Sequence, residues 1–229
     1  FVSLPALIAV GVPSVQANAS STVALYPGGV ASVWAYRQSL SPVGNVRLVH
    51  LLYITLAGGA CGALLLLGTP TKAFDVLLPW LLLIATIALA FGNKIGEALR
   101  RRCRVHPNFV LAIQFLLGVY GGYFGGGVGL MMLAMWGLLE RRDLKSLNAS
   151  RTLLVVAANT MAVLIFIVAR AVFWREVIGM LLAATLGGYG GAQLGRRCPP
   201  AVLRGLTLSI TVSITIAFFV RAYGLSALR

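Results

Sequence analysis

The sequence predicts an all-α polytopic membrane protein, made of two inverted repeats that each combine a broken, re-entrant helical hairpin with three transmembrane helices. Composition is the first observation: 59% of the 229 residues are hydrophobic and 10% are charged, whereas soluble domains carry about 25% charged residues. The second observation is a series of apolar runs, each about the length of one membrane span. The third is a long apolar stretch, residues 109–139, that glycines interrupt.

The glycine-interrupted stretch reads FVLAIQFLLGVYGGYFGGGVGLMMLAMWGLL and contains no charged residue. As one helix it would be roughly 46 Å long, which exceeds the ~30 Å hydrocarbon core of a bilayer. Six glycines lie between Gly121 and Gly129, and each costs ~1 kcal/mol in a helix interior. Two half-helices that meet near the membrane midplane are therefore predicted. Non-helical backbone at that depth must be buried in protein or line a cavity, and such a cavity is typical of a transporter.

The other apolar runs are each about one span long, apart from an incomplete run at the start. In chain order they are residues 1–12, 20–36 (with a bend at Pro27-Gly28-Gly29), 48–68, 76–92, 152–169, 177–195 and 203–220. Because the sequence opens within an apolar run and without Met, we expect an upstream segment to be missing.

Short motifs recur about 130 residues apart, which indicates an internal repeat. Asn18-Ala19-Ser20-Ser21-Thr22 matches Asn148-Ala149-Ser150-Arg151-Thr152, and the glycine block at residues 58–63 matches the block at 187–192. Residues 1–107 are therefore predicted as a first transmembrane repeat that lacks its N-terminal part and ends in a basic cytoplasmic loop. Residues 108–229 are predicted as the second repeat.

The loop charges indicate how the two repeats are oriented. If the glycine-interrupted stretch enters and leaves on one side, five of the 19 basic residues lie outside and the other 14 lie in the cytoplasm. The five are Lys72, Arg170, Arg175, Arg221 and Arg229. If the stretch instead crosses the membrane once, the basic residues are divided more evenly between the two sides. The positive-inside rule therefore favours the hairpin. Three spanning helices per half is an odd number, so the halves are predicted to be inverted, as in many secondary transporters.

The order of these motifs matches that of a known family. The run from Gly121 to Gly129 is followed by an apolar segment and an Asn-Ala-Ser-Arg-Thr helix start, and later by Trp174, the second glycine block and Leu203-Arg204. This order resembles the TauE/SafE family of sulfite exporters over nearly the whole chain, although the family's N-terminal glycine motif is absent. The resemblance implies a multi-pass protein of the bacterial inner (cell) membrane that moves sulfite or small organosulfur anions.

The charge pattern and the cysteine content argue against a nucleic-acid-binding protein and against a metal-binding protein. The net charge is +14, but the basic residues lie in short loops, where they are typical of topology signals and lipid-headgroup contacts. The expected partners are therefore a small-molecule anion and membrane lipids, with a homo-oligomer left open and no nucleic acid. The three cysteines show no metal-ligand spacing, and no metal site or cofactor is predicted.

The positions of the acidic residues favour an anionic substrate. All five lie in loops or at helix ends: Asp75, Glu97, Glu140, Asp143 and Glu176. Cation carriers usually rely on carboxylates within the membrane. No Ser-His or Cys-His pair is placed at matching depth, so an enzyme is not expected. A secondary transporter or exporter of small anions is the preferred interpretation; an anion channel and a non-catalytic subunit of a larger complex are the alternatives.

Eight candidate substrate-binding residues belong to the repeated motif: Asn18, Ser20, Ser21, Thr22, Asn148, Ser150, Arg151 and Thr152. Their side chains could cap helix starts, or the exposed N–H groups beside them could bind an anion. Arg151 could pair with an oxyanion or extend its charge to the lipid headgroups.

Six further candidates lie in the apolar runs: Gln114, Tyr123, Gly125, Gly126, Gly127 and Asn159. The three glycines could form a backbone cradle for an anion or allow close helix packing. Gln114 and Asn159 could contact substrate, although interhelical hydrogen bonding is the simpler interpretation. Tyr123 could close the site or pack. The glycine blocks at 58–62 and 187–191 are expected mainly to pack helices.

Overall fold

A computed structural model describes residues 2–43, 46–100, 107–136, 147–197 and 200–224. These ranges contain nine α-helices: α1 (Ser3–Ala9), α2 (Ser14–Tyr36), α3 (Leu48–Gly68), α4 (Thr71–Arg100), α5 (Pro107–Tyr123), α6 (Val128–Trp136), α7 (Asn148–Val168), α8 (Trp174–Arg197) and α9 (Pro200–Phe219). A π-helical turn, Val220–Gly224, extends α9. Within these ranges no β-strand forms beyond an isolated bridge between Val43 and Val46, so the all-α prediction is confirmed.

Among the residues that the structure describes, four helical segments are long and apolar enough to cross a membrane. They are Leu48–Gly68, Thr71–Phe91, Asn148–Val168 and Gly205–Tyr223. Helix α5 is apolar but shorter, as expected of a half-helix. The prediction of a polytopic membrane protein is confirmed. The six predicted spans are not all found among the described helices. Helices α2 and α8 have 23 and 24 residues, but they carry polar or charged groups within the helix or at its ends.

The break between α5 and α6 lies where the glycines predicted it. Helix α5 ends at Tyr123 and α6 begins at Val128. Gly125 and Gly127 have φ angles of 76° and 75°, in the left-handed region that glycine adopts with little steric cost. The predicted pair of half-helices is confirmed as far as Trp136, and residues 137–139 lie outside the described ranges. The re-entrant course of the hairpin stays a prediction.

Glycines bring α3 against α5 at backbone distance. A Cβ atom added to Gly62 would overlap the carbonyl oxygen of Val119, and one added to Gly122 would overlap that of Gly59. On its other side α3 approaches α7, where a Cβ on Gly59 would lie 2.8 Å from the Cα of Ala158. The packing role expected for the first glycine block is therefore confirmed.

The second glycine block differs from the first at the one position whose surroundings are described. A Cβ on Gly187 would meet nothing within 4 Å, so close packing at this glycine is not found. The surroundings of residues 188–191 lie outside the description. The repeat in sequence therefore does not guarantee a repeat in packing.

The helix that carries the first copy of the repeated motif begins earlier than predicted. Helix α2 starts at Ser14 after Pro13, so Asn18 lies in its second turn rather than at its N-cap. Leu147 is the N-cap of α7, and it makes no side-chain capping bond. The capping interpretation is therefore wrong for both copies. Thr22 and Thr152 instead donate hydrogen bonds to the carbonyl oxygens of Asn18 and Asn148, at 2.9 and 2.8 Å.

Two equivalent serines connect the halves of the chain. The Ser20 oxygen accepts a hydrogen bond from the backbone nitrogen of Phe173 at 2.9 Å, just before α8. The Ser150 oxygen accepts one from the backbone nitrogen of Ser41 at 3.0 Å and donates to the Ser41 carbonyl oxygen at 2.6 Å, in the connection before α3. Ser20 of α2 thus binds the segment before α8, and Ser150 of α7, its counterpart in the repeat, binds the segment before α3. These exchanged contacts are what a two-fold arrangement would produce, and the inversion itself stays a prediction.

Two buried apolar clusters support the region between α2, α6 and α7. One includes Phe74, Leu82 and Phe166, each at most 1% exposed, beside α1 and α2. The other includes Met132 and Trp136 of α6, both fully buried. The glycine break lies between these clusters, with Phe124 in the first and Val128 in the second. Its position is therefore fixed by packing on both sides.

Candidate functional site

A cavity of about 570 Å³ lies between α2, the glycine break and α7. Its volume is within the ~300–1,000 Å³ typical of small-molecule sites. Nine of the fourteen predicted site residues line it: Asn18, Ser21, Thr22, Gly125, Gly126, Gly127, Arg151, Thr152 and Asn159. The cavity thus joins the repeated motif of both halves to the backbone of the break.

The cavity is closed at one end and accessible at the other. At the closed end Asn18 is 3% exposed and Leu82 is 1% exposed. The hydroxyl of Ser21 donates a hydrogen bond to the Ser3 oxygen at 2.7 Å, which ties α2 to α1 there. At the other end Tyr36, the last residue of α2, is 55% exposed. A ligand can therefore enter beside Tyr36 and the start of α7.

The glycine break contributes backbone to the cavity wall. Residues 125–129 all line it, and the Gly127 carbonyl oxygen accepts the N–H groups of Leu130 and Met131 as α6 begins. The first N–H groups of a helix have no intrahelical acceptor, and this end of a helix attracts negative charge. The break can therefore offer N–H groups to an anion, as the cradle hypothesis requires.

Arg151 is the single charged residue in the described lining of the cavity. Its side chain runs past Gly129, where an added Cβ would lie 3.3 Å from the arginine Cδ. Within the described ranges its guanidinium has no hydrogen-bond or carboxylate partner. The lining therefore carries one positive charge and no described negative one.

Asn159 lines the cavity and has an unsatisfied side-chain oxygen. Its Oδ1 atom is buried and makes no hydrogen bond to the described residues. A Cβ on Gly125 would lie 3.5 Å from the Gly121 carbonyl oxygen, 3.9 Å from this oxygen and 4.0 Å from Oγ1 of Thr22, so the glycine lies beside both side chains. The interhelical hydrogen bond expected for Asn159 is absent from the described structure. A buried polar atom without a partner costs about 1–3 kcal/mol.

Asn18 fixes the end of α5 beside the cavity. Its Nδ2 donates a hydrogen bond to the carbonyl oxygen of Tyr123 at 2.8 Å. Tyr123 is the last residue of α5, and the final carbonyl groups of a helix lack intrahelical donors. Asn18 therefore positions the glycine break and lines the cavity.

Five predicted residues lie outside the cavity lining: Ser20, Gln114, Tyr123, Asn148 and Ser150. Gln114 is fully buried, where it donates to the Thr55 hydroxyl at 2.8 Å and accepts from the Trp136 indole at 3.3 Å. This is the interhelical bonding that was the simpler interpretation for Gln114. Asn148 is exposed at the start of α7. The two serines bind backbone, as described above, and the Tyr123 hydroxyl bonds to Thr69 at 3.3 Å.

Several lining residues on α2 escaped the sequence prediction. Tyr26, Ser32 and Tyr36 continue the cavity wall from Thr22 to the end of the helix. With Gly29, which also lines the cavity, they follow Thr22 at intervals of three or four residues, which puts them on one helix face; that stripe was the available signal. Tyr26 also shares a hydrogen bond with the Thr160 hydroxyl at 2.9 Å, which joins α2 to α7 beside the cavity.

Comparison with known proteins agrees with this architecture. The family described as sulfite exporter TauE/SafE matches residues 1–218. A probable membrane transporter protein, ORF9, of Sinorhizobium sp is 30% identical over 227 residues, which covers 96% of this chain and 82% of the relative. A probable membrane transporter protein of Haemophilus influenzae is 24% identical over 222 residues, which covers 96% of this chain and 84% of that relative. No solved structure shows a significant match. The chain therefore belongs to the TauE/SafE family of membrane transporters.

Proposed function

We propose that the protein is a secondary transporter that exports a small anion, sulfite or an organosulfonate, across the bacterial inner membrane, which it crosses several times. The observation that carries this proposal is the cavity with Arg151 as its one described charge. The family and its relatives support transport as the class of function. The choice of anion rests on the chemistry of the lining.

An anion would neutralise the one described charge of the lining. Arg151 is partly buried, and a cation that has lost part of its hydration is stabilised by a paired anion. A guanidinium can donate two parallel hydrogen bonds to one oxyanion, and the N–H groups at the start of α6 add donors on the neighbouring wall. A sulfite or sulfonate group would thus be bound by charge and by hydrogen bonds together.

Transport requires that the closed end of the cavity open while the accessible end closes. Repeated halves with a site at their interface are a known basis for such alternation. The hydrogen bonds of Ser20 and Ser150 join the two halves. A rocking motion of one half against the other would have to break these bonds or move the bonded segments with it. Opening at the closed end would also have to break or displace the hydrogen bond between Ser21 and Ser3.

Transport into proteoliposomes tests this proposal. The full chain is reconstituted, and uptake of labelled sulfite and of an alkanesulfonate is measured against concentration. We expect saturable uptake that Arg151→Gln lowers by at least about tenfold, since a charge-assisted bond contributes ~1.5–3 kcal/mol. Arg175→Gln is the matched control, because Arg175 is exposed at the start of α8, outside the cavity.

The outcomes separate the competing functions. No anion flux from protein that elutes as a folded monodisperse species would refute transport. Flux that rises linearly with concentration and ignores counter-anions would indicate a channel. Equal activity of the Arg151 and Arg175 variants would place the anion elsewhere than in this cavity.

A further inference from the structure

We infer that the end of α2 is the gate of the cavity: residues 30–36 close its accessible end when the helix bends at residues 27–29. The inference rests on the proposed function and identifies the part of the molecule that moves. Three observations carry it. They are the exposure of the end of α2, the residues that weaken the helix at 27–29, and the packing of the matching part of α7.

The two halves of α2 differ in how they pack. All nine of its buried residues lie between Ser14 and Ala24. From residue 25 to Tyr36 none is buried, although this half forms the wall of the cavity at its accessible end. The hydrogen bond from Asn18 to the end of α5 also belongs to the first half. The first half is therefore fixed in the core, and the second half lies on it loosely.

Residues 27–29 weaken the helix between these halves. Pro27 lies inside α2 and has no N–H group to donate to the carbonyl oxygen of Val23, four residues earlier. A Cβ on Gly28 would meet nothing within 4 Å, so no packing requires glycine there, and glycine lowers helix stability. Ser32 donates a hydrogen bond to the Gly28 carbonyl oxygen at 2.9 Å, a contact that often bends helices. Sharp kinks in helices lie mostly at such positions.

The hinge lies between two points that attach α2 to α7. Before it, the Tyr26 hydroxyl shares a hydrogen bond with the Thr160 hydroxyl at 2.9 Å. Beyond the end of α2, Ser150 binds the backbone of Ser41. A short 3₁₀ helix, Arg37–Ser39, and one extended residue separate α2 from Ser41. This irregular connection can change its backbone angles, so the end of α2 can move while both attachments persist.

The matching part of α7 shows the packing that the closed gate would adopt. The repeated motif relates the two helices by 130 residues, so Val33 corresponds to Val163 and Tyr36 to Phe166. Val163 is 7% exposed and Phe166 is fully buried, whereas Tyr36 is 55% exposed. Phe166 belongs to the same buried cluster as Leu82, which lines the closed end of the cavity. The same pair of residue types is thus packed at the closed end and unpacked at the accessible end.

The outward side of the two helices does not differ in this way. Trp34 and its counterpart Leu164 are both exposed, at 69% and 53%. The difference between the helices is therefore confined to the side that carries Val33 and Tyr36. Bending at the hinge would bring this side onto the cavity. It would close the accessible end in the way that Phe166 supports the closed one.

Stiffening the hinge tests the inference by transport kinetics. Pro27→Ala and Gly28→Ala should melt at or above the wild-type temperature, since alanine is favoured in a helix. With the full chain in proteoliposomes, their maximal rate of sulfite uptake should fall at least about fivefold, and KM should change less than about twofold. Gly179→Ala is the matched control. Gly179 lies inside α8 with open space at its Cβ, so this variant should gain stability and keep the rate.

Exchange of residues between the two copies tests the closing side. Tyr36→Phe supplies the residue of α7 and should keep uptake within about twofold. Tyr36→Ala should lower the maximal rate at least about tenfold, because truncation of an aromatic side chain disfavours the state that buries it. Its melting temperature should not fall, because Tyr36 is exposed in the open state. Trp34→Leu is the control from the outward side and should keep the rate.

Distances between spin labels test the movement without a substrate. The three native cysteines are replaced by serine, and labels are attached to Trp34→Cys and Asn148→Cys. Both positions are exposed near the accessible end. In nanodiscs we expect two distances, the shorter one from the closed gate. Pro27→Ala should reduce the population at the shorter distance at least about threefold.

Each outcome supports or overturns the inference. Wild-type rates in both hinge variants, or one distance that no variant alters, would overturn it; if Pro27→Ala does not fold, Gly28→Ala decides. Sulfite uptake that neither the hinge variants nor Tyr36→Ala slow would refute the gate and leave the proposed function standing. Two distances that depend on Pro27, in protein that moves no anion, would support the gate and refute the proposed function.

Discussion

The side-chain nitrogen of Asn18 lies 2.8 Å from the carbonyl oxygen of Tyr123, 105 residues away in the chain. The bond joins the first half of the protein to the end of α5, where the glycine break begins. Both groups are buried. The geometry of the cavity wall therefore depends on one asparagine from the opposite half.

Removal of this bond should destabilise the protein. Asn18→Leu leaves the Tyr123 carbonyl oxygen without a donor, and we expect a loss of about 1–2 kcal/mol in the free energy of unfolding. The melting temperature in detergent measures it. Asn148→Leu is the control: Asn148 is the repeat equivalent but is exposed, and the variant should melt like the wild type. Equal destabilisation by both variants would contradict the assigned role of Asn18.

The two left-handed glycines of the break should respond differently to alanine. Both substitutions cost ~1–2 kcal/mol for the backbone conformation. A Cβ on Gly127 would also lie 2.8 Å from the Cβ of Ala85 on α4, whereas one on Gly125 meets its neighbours at 3.5 Å or more. Gly127→Ala should therefore lower stability more, while Gly125→Ala should fold and bind the anion more weakly, because Gly125 lines the cavity and its added methyl group would change that wall.

The control for these variants is Gly28→Ala. Gly28 lies inside α2, and an added Cβ meets nothing within 4 Å. Alanine in a helix interior is favoured over glycine by roughly 0.5–1 kcal/mol, so this variant should keep or gain stability. Thermal melting and anion binding of the three proteins together check the expectation. Unchanged anion affinity in Gly125→Ala would show that the anion does not contact this part of the cavity wall.

The glycines between α3 and α5 should be highly sensitive to substitution by alanine. Gly62→Ala places a methyl group on the carbonyl oxygen of Val119, and neither backbone can yield without separating the helices. We expect a loss of at least ~2 kcal/mol, in the range of overpacked cores, measured by thermal melting. Gly187→Ala is the comparison from the repeated glycine block. Its Cβ has open space, so it should be tolerated, and a similar loss there would mean that the second block packs as the first does.

The sequence predicted the features that depend on composition and short-range pattern. Glycine density between Gly121 and Gly129 located the break, and the packing role of the first glycine block followed from small residues in an apolar run. The role of Asn18 could not be predicted in the same way. A capping pattern is local, but the partner of this asparagine is Tyr123, and only the tertiary structure brings α2 to the end of α5.

The cavity was predicted in part for a similar physical reason. Arg151, Asn159 and the glycines of the break attract attention because polar or flexible residues are rare in apolar runs. Tyr26 and Tyr36 line the cavity yet are common in membrane helices for interfacial reasons. Gln114 and Asn159 are both uncharged polar residues in apolar runs, so the sequence does not distinguish them. In the structure Gln114 forms hydrogen bonds with Thr55 and Trp136, while the Asn159 oxygen has no partner among the described residues.

The exchanged serine contacts predict unequal effects of two equivalent substitutions. Ser150 makes two bonds to the backbone of Ser41, whereas Ser20 makes one, to Phe173. Ser150→Ala should therefore cost more stability than Ser20→Ala, by about 1 kcal/mol, in thermal melting. Thr185→Ala is a control, because among the described residues its exposed hydroxyl bonds within α8, to the Leu181 carbonyl oxygen, and it should have little effect. A larger loss for Ser20 would contradict this assignment.

The inversion of the two repeats has a direct test in cysteine labelling. Arg47 precedes α3 and Arg175 begins α8, so they are near-equivalent in the repeat, and both are exposed. If the halves are inverted, equivalent positions lie on opposite sides of the membrane. Arg47→Cys should then react with a membrane-impermeant maleimide only after the cells are opened, and Arg175→Cys should react in intact cells. Lys72→Cys is the internal control, because α3 separates it from Arg47 and it should label like Arg175→Cys. Labelling of Arg47→Cys and Arg175→Cys from the same side would mean parallel repeats, and the positive-inside assignment of the loops would then be wrong as well.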